Sequence, residues 1–405
     1  MKKFLSLLMT LCLLLPAFCL SEGETLEGDE LLVEEIVEEA TDESASDSEY
    51  TIGDEFDLTE EEQNRLEEYL QLDEDDNGTS FDPAELDLNP NLPSNVFNIL
   101  LIGVDSHSAD PLEIVGKGDS QIIVSINKET GSIKMTSILR DTLVDVPVPG
   151  KKKVYSTKIT NSFKYGCNSM AKATAAEQTR AGAFRAMWTI NKNFDMNIQD
   201  YVVVNFNGLS RIIDALGGID IDMSAQEAKA VNAYLAQAYK KPSLYTYDPT
   251  YDRKTRKSTR QPLERVDGIQ HCDGIQALTY ARLRKIDNDF VRSDRQRHLL
   301  DLLLKKVMTD MDALKLMDLI GTATDYAVTN MNFETLFNLA LSLYPHLSEI
   351  MGSSDALFEQ LRIPEDDTWR YSTVEGTGSV VKLKNKKATT ESIHSFIYGT
   401  YYPAK

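Results

Sequence analysis

Val96 to Val104 (VFNILLIGV) is an essentially apolar run, the pattern of a strand buried on both faces. It ends at Asp105-Ser106. Beyond a glycine-containing loop, Asp119 precedes a second apolar stretch, Gln121 to Ile126. The turn Asn127-Lys128-Glu129-Thr130-Gly131 then leads to a third, Ile133 to Leu139, closing at Arg140-Asp141. So short a connection predicts an antiparallel hairpin. That hairpin sets Asp119, at the start of one strand, beside Arg140, at the end of the next. If the first strand runs parallel to the third, Asp105 emerges at the same end. Two carboxylates and an arginine then meet at one sheet edge, where α/β proteins usually hold their ligands.

Further along, Tyr201 to Phe206 predicts another buried strand and Leu209 to Leu216 a helix. Gly217-Gly218 supplies the left-handed turn that ends the helix, and Ile219 to Ile221 begins a strand. Residues 224–262 form a long excursion in which Arg253, Lys254, Arg256, Lys257 and Arg260 crowd together. A solvated loop is the preferred reading, ahead of a rim contact for an anionic polymer. Asp273 then caps a helix from Gly274 to Arg284, with Ile275, Leu278 and Ala281 on one face. Another helix begins near Arg292, carries Gln296 on the same face as Arg292, and buries Leu299, Leu300 and Leu303. Arg282, Arg284, Arg292, Arg295 and Gln296 thus gather around Asp287 and Asp289. As helix-surface salt bridges each pair would contribute at most about 1 kcal/mol. Planar, multi-donor arginines beside paired acids are also what holding a pyrophosphate through a divalent cation requires.

Charge changes the picture of the N-terminal part. The chain has 405 residues, a 42% hydrophobic share that excludes wholesale disorder, and a net charge of −22. Residues 22–92 hold 28 acidic residues against one base, Arg65, for a net −27; residues 93–405 come to +3. A slightly basic body therefore follows an acidic segment with few aromatics, the composition of a disordered linker. The balance excludes a general nucleic-acid binder. Met1-Lys2-Lys3 before the apolar run Phe4–Leu20 predicts a signal peptide or an uncleaved signal anchor over 1–21. Leu299 to Ile320 is too interrupted by Asp301, Lys305 and Lys306 to span a membrane. Within the linker, Thr59 and Glu62 form a capping box. Asp73, Asp75, Asn77 and Gly78 open like a calcium loop, but Ala84 stands where the closing acid belongs, so a solvated acidic turn is preferred. Cys167 and Cys272 are read as separate buried thiols, and the five histidines lack zinc-site spacing.

Seven short blocks, in order, resemble the LytR-CpsA-Psr family of cell-wall polymer ligases. They are Asn98–Ser106, Gly118-Asp119-Ser120, Ser137–Asp141, Lys158-Ile159-Thr160-Asn161 with Tyr165-Gly166, Ile213–Asp220, Asp273–Arg284, and Asp287–Arg292 with Arg295-Gln296. The tail, with Ile363-Pro364 and Gly376-Thr377-Gly378, is similar to the family's C-terminal extension. The resemblance implies an α-β-α sandwich with a central mixed β-sheet flanked by helices. The catalytic domain would cover 93–310 and an extension packed on it 311–402.

The resemblance further implies an enzyme at the extracytoplasmic face of a bacterial membrane, secreted if the N-terminal segment is cleaved. It would move a glycopolymer, such as teichoic acid or capsule, from a polyprenyl-pyrophosphate carrier to peptidoglycan. Asp105 and Asp119 would hold Mg²⁺, and Arg140, Arg282, Arg284, Arg292 and Arg295 would neutralise phosphate, with Gln296 donating a hydrogen bond. Asp289 would orient the arginines, and Asp105 or Asp289 could act as base. Such a site stabilises a charged leaving group when displacement occurs at the sugar carbon. Two departures stand out: Ser106-His107-Ser108 where many relatives carry an arginine, and Lys117-Gly118 where Arg-Ser is common. Lys117 would replace a phosphate-binding arginine without its bidentate fork. Hydrolysis of the polyprenyl pyrophosphate, or non-catalytic holding of that lipid, are the alternatives.

Overall fold

A computed structural model describes residues 83–104, 114–238, 250–283 except 253 and 256, 326–332 and 359–404, with single positions between 295 and 346. The 1–21 segment, most of the acidic linker, its capping box and its calcium-like turn lie outside the described residues.

The strands expected from the apolar runs are present. β1 (Val96–Val104), β2 (Gly118–Asn127) and β3 (Ile133–Ile138) form successive antiparallel pairs. β1 and β3 consequently run in the same direction, but with β2 between them. Asn127 closes the β2–β3 turn by accepting from the Glu129 and Thr130 amides at 2.9 and 3.2 Å. β6 (Asp200–Asn205) lies parallel to β1, and β11 (Ala327–Thr329) and β12 (Glu359–Ile363) complete the sheet. The described strand order is β11-β6-β1-β2-β3-β12, a mixed sheet of six.

Alternation along β1 sorts side chains to two cores. Ile99 and Leu101 join a cluster built with α3 (Phe206–Ala215), α4 (Ala225–Ala238) and α5 (Gly274–Ala281). Leu100 and Ile102 face the opposite cluster, built with α1 (Thr160–Ser169), α2 (Ala175–Phe194) and α6 (Lys386–Tyr398). This is the expected α-β-α sandwich.

Between β3 and α1 stands a hairpin absent from the sequence reading, β4 (Leu143–Val148) with β5 (Lys151–Lys158). α1 and α2 cross closely because Gly166 has no side chain: a Cβ there would stand 2.1 Å from the Ala181 carbonyl oxygen. α2 starts at a Thr174/Glu177 capping box. α3 is capped by Asn205 and ends at Gly217 and Gly218, both at positive φ, as expected. β7 (Ile219–Met223) pairs with β10 (Gly268–Cys272).

The excursion over 224–262 is not simply a solvated loop. Its first third is α4, whose Ala228, Val231 and Leu235 reach the core and whose start is fixed by Ser224 and Glu227. Only the short hairpin β8 (Tyr251–Asp252) with β9 (Lys257–Ser258) follows before β10 among the described residues. The linker boundary also moves. Leu86 and Leu92 are buried, and the Asn89 amide donates to the Asp195 and Tyr402 carbonyls at 3.0 and 2.8 Å. The body thus begins by Pro83, ten residues before the expected boundary. The C-terminal hairpin β13 (Trp369–Val374) with β14 (Gly378–Leu383) is fastened beside β3, where the Val381 amide donates to the Asp141 carbonyl at 2.9 Å.

Candidate functional site

The β1–β2 ladder contains one irregularity, and it falls on Asp119. Gly103 is opposite Ser120 and Val104 opposite Gly118, so Asp119 is the unpaired residue of a bulge. Such bulges re-aim a side chain, often beside active sites. β2 and β3 stop pairing at Gln121 and Ile138, which leaves Asp119 and Arg140 as neighbours past the end of the ladder. Arg140 Nη1 stands 3.1 Å from Asp119 Oδ1, as the hairpin predicted.

The same carboxylate oxygen accepts a hydrogen bond from the Thr160 hydroxyl at 2.9 Å. Thr160 opens α1, and its amide donates to the Arg140 carbonyl at 3.2 Å. A side chain and a main chain from α1 thereby fix both members of the pair. Arg140 Nε also lies 3.7 Å from Asp141, whose carboxylate holds Lys158 at 3.0 Å. The Asp119 and Arg140 side chains are 24% and 38% exposed, so the pair is partly desolvated yet open to a ligand. The floor is tight: a Cβ on Gly118 would lie 3.1–3.3 Å from Gln121, Ile102 and Phe163. Packing thus accounts for glycine before Asp119.

Lys117 is exposed immediately before β2, opposite the end of β1. Asp105 follows Val104 there in sequence, but it lies outside the described residues, as do Arg284, Asp289, Arg292 and Gln296. Arg282 is the C-cap of α5, on the opposite layer of the sandwich from α1. The helix ends at Ala281 rather than Arg284.

Arg295 is buried. Its side chain is 4% exposed and its Nε stands 2.7 Å from Glu227 Oε1 on α4; the guanidinium also donates to the Leu283 carbonyl at 3.3 Å. Burial alone would raise the Glu227 carboxyl, but hydrogen bonds from Arg295 and Ser224 hold it below its usual range. A buried guanidinium engaged this way fastens α4 to the end of α5.

Cys167 and Cys272 are free and buried, and burial pushes both thiols up to about 12. They stay protonated at neutral pH and supply no nucleophile.

Sequence reading missed Thr160 and Lys158 as site residues. Both stood in a quoted block, Lys158-Ile159-Thr160-Asn161. What was missing was the helix start that brings Thr160 against Asp119.

The model of the LytR_cpsA_psr family matches residues 59–390. The chain belongs to this family. Biofilm regulatory protein A of Streptococcus mutans is 29% identical over 264 residues, 64% of this chain and 54% of that one. An Enterococcus faecalis relative, polyisoprenyl-teichoic acid–peptidoglycan teichoic acid transferase TagU, is 25% identical over 260 residues, 64% of this chain and 68% of that one. This LytR_cpsA_psr member therefore spans about half the length of the first relative and two-thirds of the second. In fold it is similar to a solved Streptococcus agalactiae protein, gbs0355, with a TM-score of 0.51 and 20% identity over 77% of this chain and 92% of that one.

Proposed function

We propose that this chain is an envelope transferase that moves a glycopolymer from a polyprenyl-pyrophosphate carrier to a hydroxyl of peptidoglycan. The observation that carries the reading is the bulged Asp119 bound by both Arg140 and Thr160 at the sheet edge where β1 ends. The names of the teichoic acid transferases among its relatives agree with it.

Arg140 supplies a fixed positive charge for the pyrophosphate. Thr160 and Arg140 hold the Asp119 carboxylate in one orientation, and Lys117 and Lys158 add charge at the rim. We extend the phosphate-binding set to Arg282, Arg284, Arg292 and Gln296, oriented by Asp289, and leave out Arg295.

Asp119 fits Mg²⁺ in its chemistry: a hard oxygen donor at a partly open edge suits a cation bound by one or two carboxylates plus substrate phosphates. Among the described residues no three acidic, histidine or cysteine side chains gather into a metal cage. Asp119, with Asp105, would hold the ion. When bound, Mg²⁺ supplies neutralisation of charge on the leaving group.

The acceptor hydroxyl gives its proton to a carboxylate, Asp105 or Asp289, as it attacks. Attack at the sugar-proximal phosphorus keeps one phosphate in the product and releases polyprenyl phosphate. Attack at the sugar carbon releases polyprenyl pyrophosphate. Incubation of the purified chain with lipid-linked donor, Mg²⁺ and peptidoglycan tests the reading. Polymer covalently joined to glycan is expected, and the released lipid identifies the bond broken. Free polymer or phosphate with no linkage would contradict it and select hydrolysis.

A further inference from the structure

The β4–β5 hairpin carries charge that nothing in the core requires. Lys151, Lys152 and Lys153 follow the Pro149-Gly150 turn and are all exposed. No carboxylate among the described residues pairs with any of them. Such a cluster carries self-repulsion when the protein is alone.

Its geometry has a direction. The hairpin base is Leu143 opposite Lys158, and Lys158 is held by Asp141, next to Arg140. From Lys158 to Val154 the strand pairs regularly over roughly 13 Å at about 3.3 Å per residue, and alternate residues there share a face. The register then shifts, with Lys151 opposite Val148, so Lys152 and Lys153 stand in an irregular tip without a strand partner. Lys153 Nζ lies 5.1 Å from the centroid of the Tyr155 ring, and Tyr155 is 47% exposed. The Tyr155 ring meets the Tyr165 ring of α1 edge-on at 5.9 Å. Thr157 comes next on the strand and accepts from the Asn161 amide at 2.8 Å. Thr160, one residue from Asn161, reaches Asp119. The Lys153 ammonium and the Tyr155 and Tyr165 rings therefore lead from the lysine-bearing tip towards α1, whose first residue holds Asp119.

We propose that this hairpin is a docking arm for the anionic chain of a repeating phosphodiester polymer, the part of the substrate remote from its pyrophosphate end. The substrate class rests on the function proposed above, narrowed by the teichoic acid named for its relatives; the arm itself rests on charge complementarity and on its attachment to the site. Lysines are compact point charges that accept phosphate without a fixed geometry, which suits a polymer that slides in register. The tyrosines offer flat apolar faces with a polar tip to the units between phosphates. Exposed single pairs are weak, so the arm selects multivalent chains over single phosphates.

Binding of a poly(glycerol phosphate) oligomer to the full chain, by calorimetry at several salt concentrations, tests this. Expected are binding that weakens steeply with salt, and no comparable binding of glycerol 3-phosphate. In the triple variant Lys151→Gln, Lys152→Gln, Lys153→Gln, affinity at low salt should fall about tenfold and the salt dependence should become shallower. Tyr155→Ala should weaken binding while leaving the salt dependence as it was. The lysines are exposed at a hairpin tip, and unchanged thermal melting checks the fold. Polymer affinity indifferent to the three lysines would overturn the arm, as would an unaltered chain that ignores the polymer. Because binding is read without turnover, the two proposals separate. Salt-sensitive binding with no transfer from any donor supports the arm and refutes the transferase. Transfer with lysine-independent binding does the reverse.

Discussion

Asp119 receives two donors from two different elements, and that convergence gives individual residues testable weights. Removing the Thr160 hydroxyl leaves Asp119 and Arg140 in place but loosens the carboxylate, and a hydrogen bond to a charged group contributes about 1.5–3 kcal/mol. Thr160→Val should lower transfer about tenfold or more, while Thr160→Ser should largely restore it; equal losses in both variants would make the threonine a packing residue. Asp200 offers a separate test. It begins β6 beside Ile99, and burial pushes its carboxyl up to about 6. An acid raised above its unfolded value favours folding only while protonated, so this contribution is present at low pH and lost as pH rises toward and through 6. Asp200→Asn should therefore stabilise the protein at pH 7–8, by about 1–2 kcal/mol given the carboxyl's partial exposure, and change little near pH 4. Melting curves at the two pH values check the sign. At this scale, the Asp119–Arg140 pair was legible because a short turn dictates which strand ends meet. The burial of Arg295 was not, since its partner Glu227 lies 68 residues away and sequence proximity grouped it with the neighbouring arginines.

Among elements, the strands announced by dense apolar runs were found with nearly their expected limits, because burial on both faces leaves a continuous signature. α2 left no such mark. Its buried residues mix small Ala181, Gly182, Ala183 and Ala186 and polar Thr179, Arg185, Thr189, Asn191 and Asn193 with Phe184, Met187, Ile190 and Phe194, so periodicity is faint although packing is close. The local signals were the capping boxes Thr174/Glu177 and Ser224/Glu227, which mark helix starts without needing an apolar stripe. The β4–β5 hairpin was hidden by Lys151–Lys153, which look like a loop until the opposing strand is seen. Close helix approach gives the prediction at this level. Gly166→Ala forces a Cβ against the α2 backbone, and overpacking of this kind costs about 1–3 kcal/mol. A lower melting temperature is expected, with residual activity retained in whatever fraction is folded. Unaltered melting would mean that α1 and α2 are less tightly apposed than described.

For the whole molecule, the net −22 conceals +3 over residues 93–405, −27 over 22–92 and +2 from Lys2 and Lys3. The two ends of the body are stitched together: Asn89 donates to the Tyr402 carbonyl and Asn91 to the Pro403 carbonyl, each at 2.8 Å, while Asp87 meets Trp188 and Lys192 on α2. Acidic residues near the boundary therefore belong partly to the fold, which composition could not reveal. Removing 22–82 should leave melting and transfer in solution intact, whereas removing 22–92 should lower the melting temperature by several degrees through loss of Leu86 and the Asn89 bonds. Equal behaviour of the two truncations would contradict this boundary.

The central claim is that Asp119, aimed by its bulge and held by Arg140 and Thr160, serves transfer from a pyrophosphate carrier. Its most direct test is the rate of polymer attachment to peptidoglycan by the unaltered chain and by Asp119→Ala, with Mg²⁺ and lipid-linked donor supplied to both. The expected result is attachment by the unaltered chain and a loss of about 100-fold or more in a variant that melts normally. Undiminished attachment by the folded variant would contradict the account.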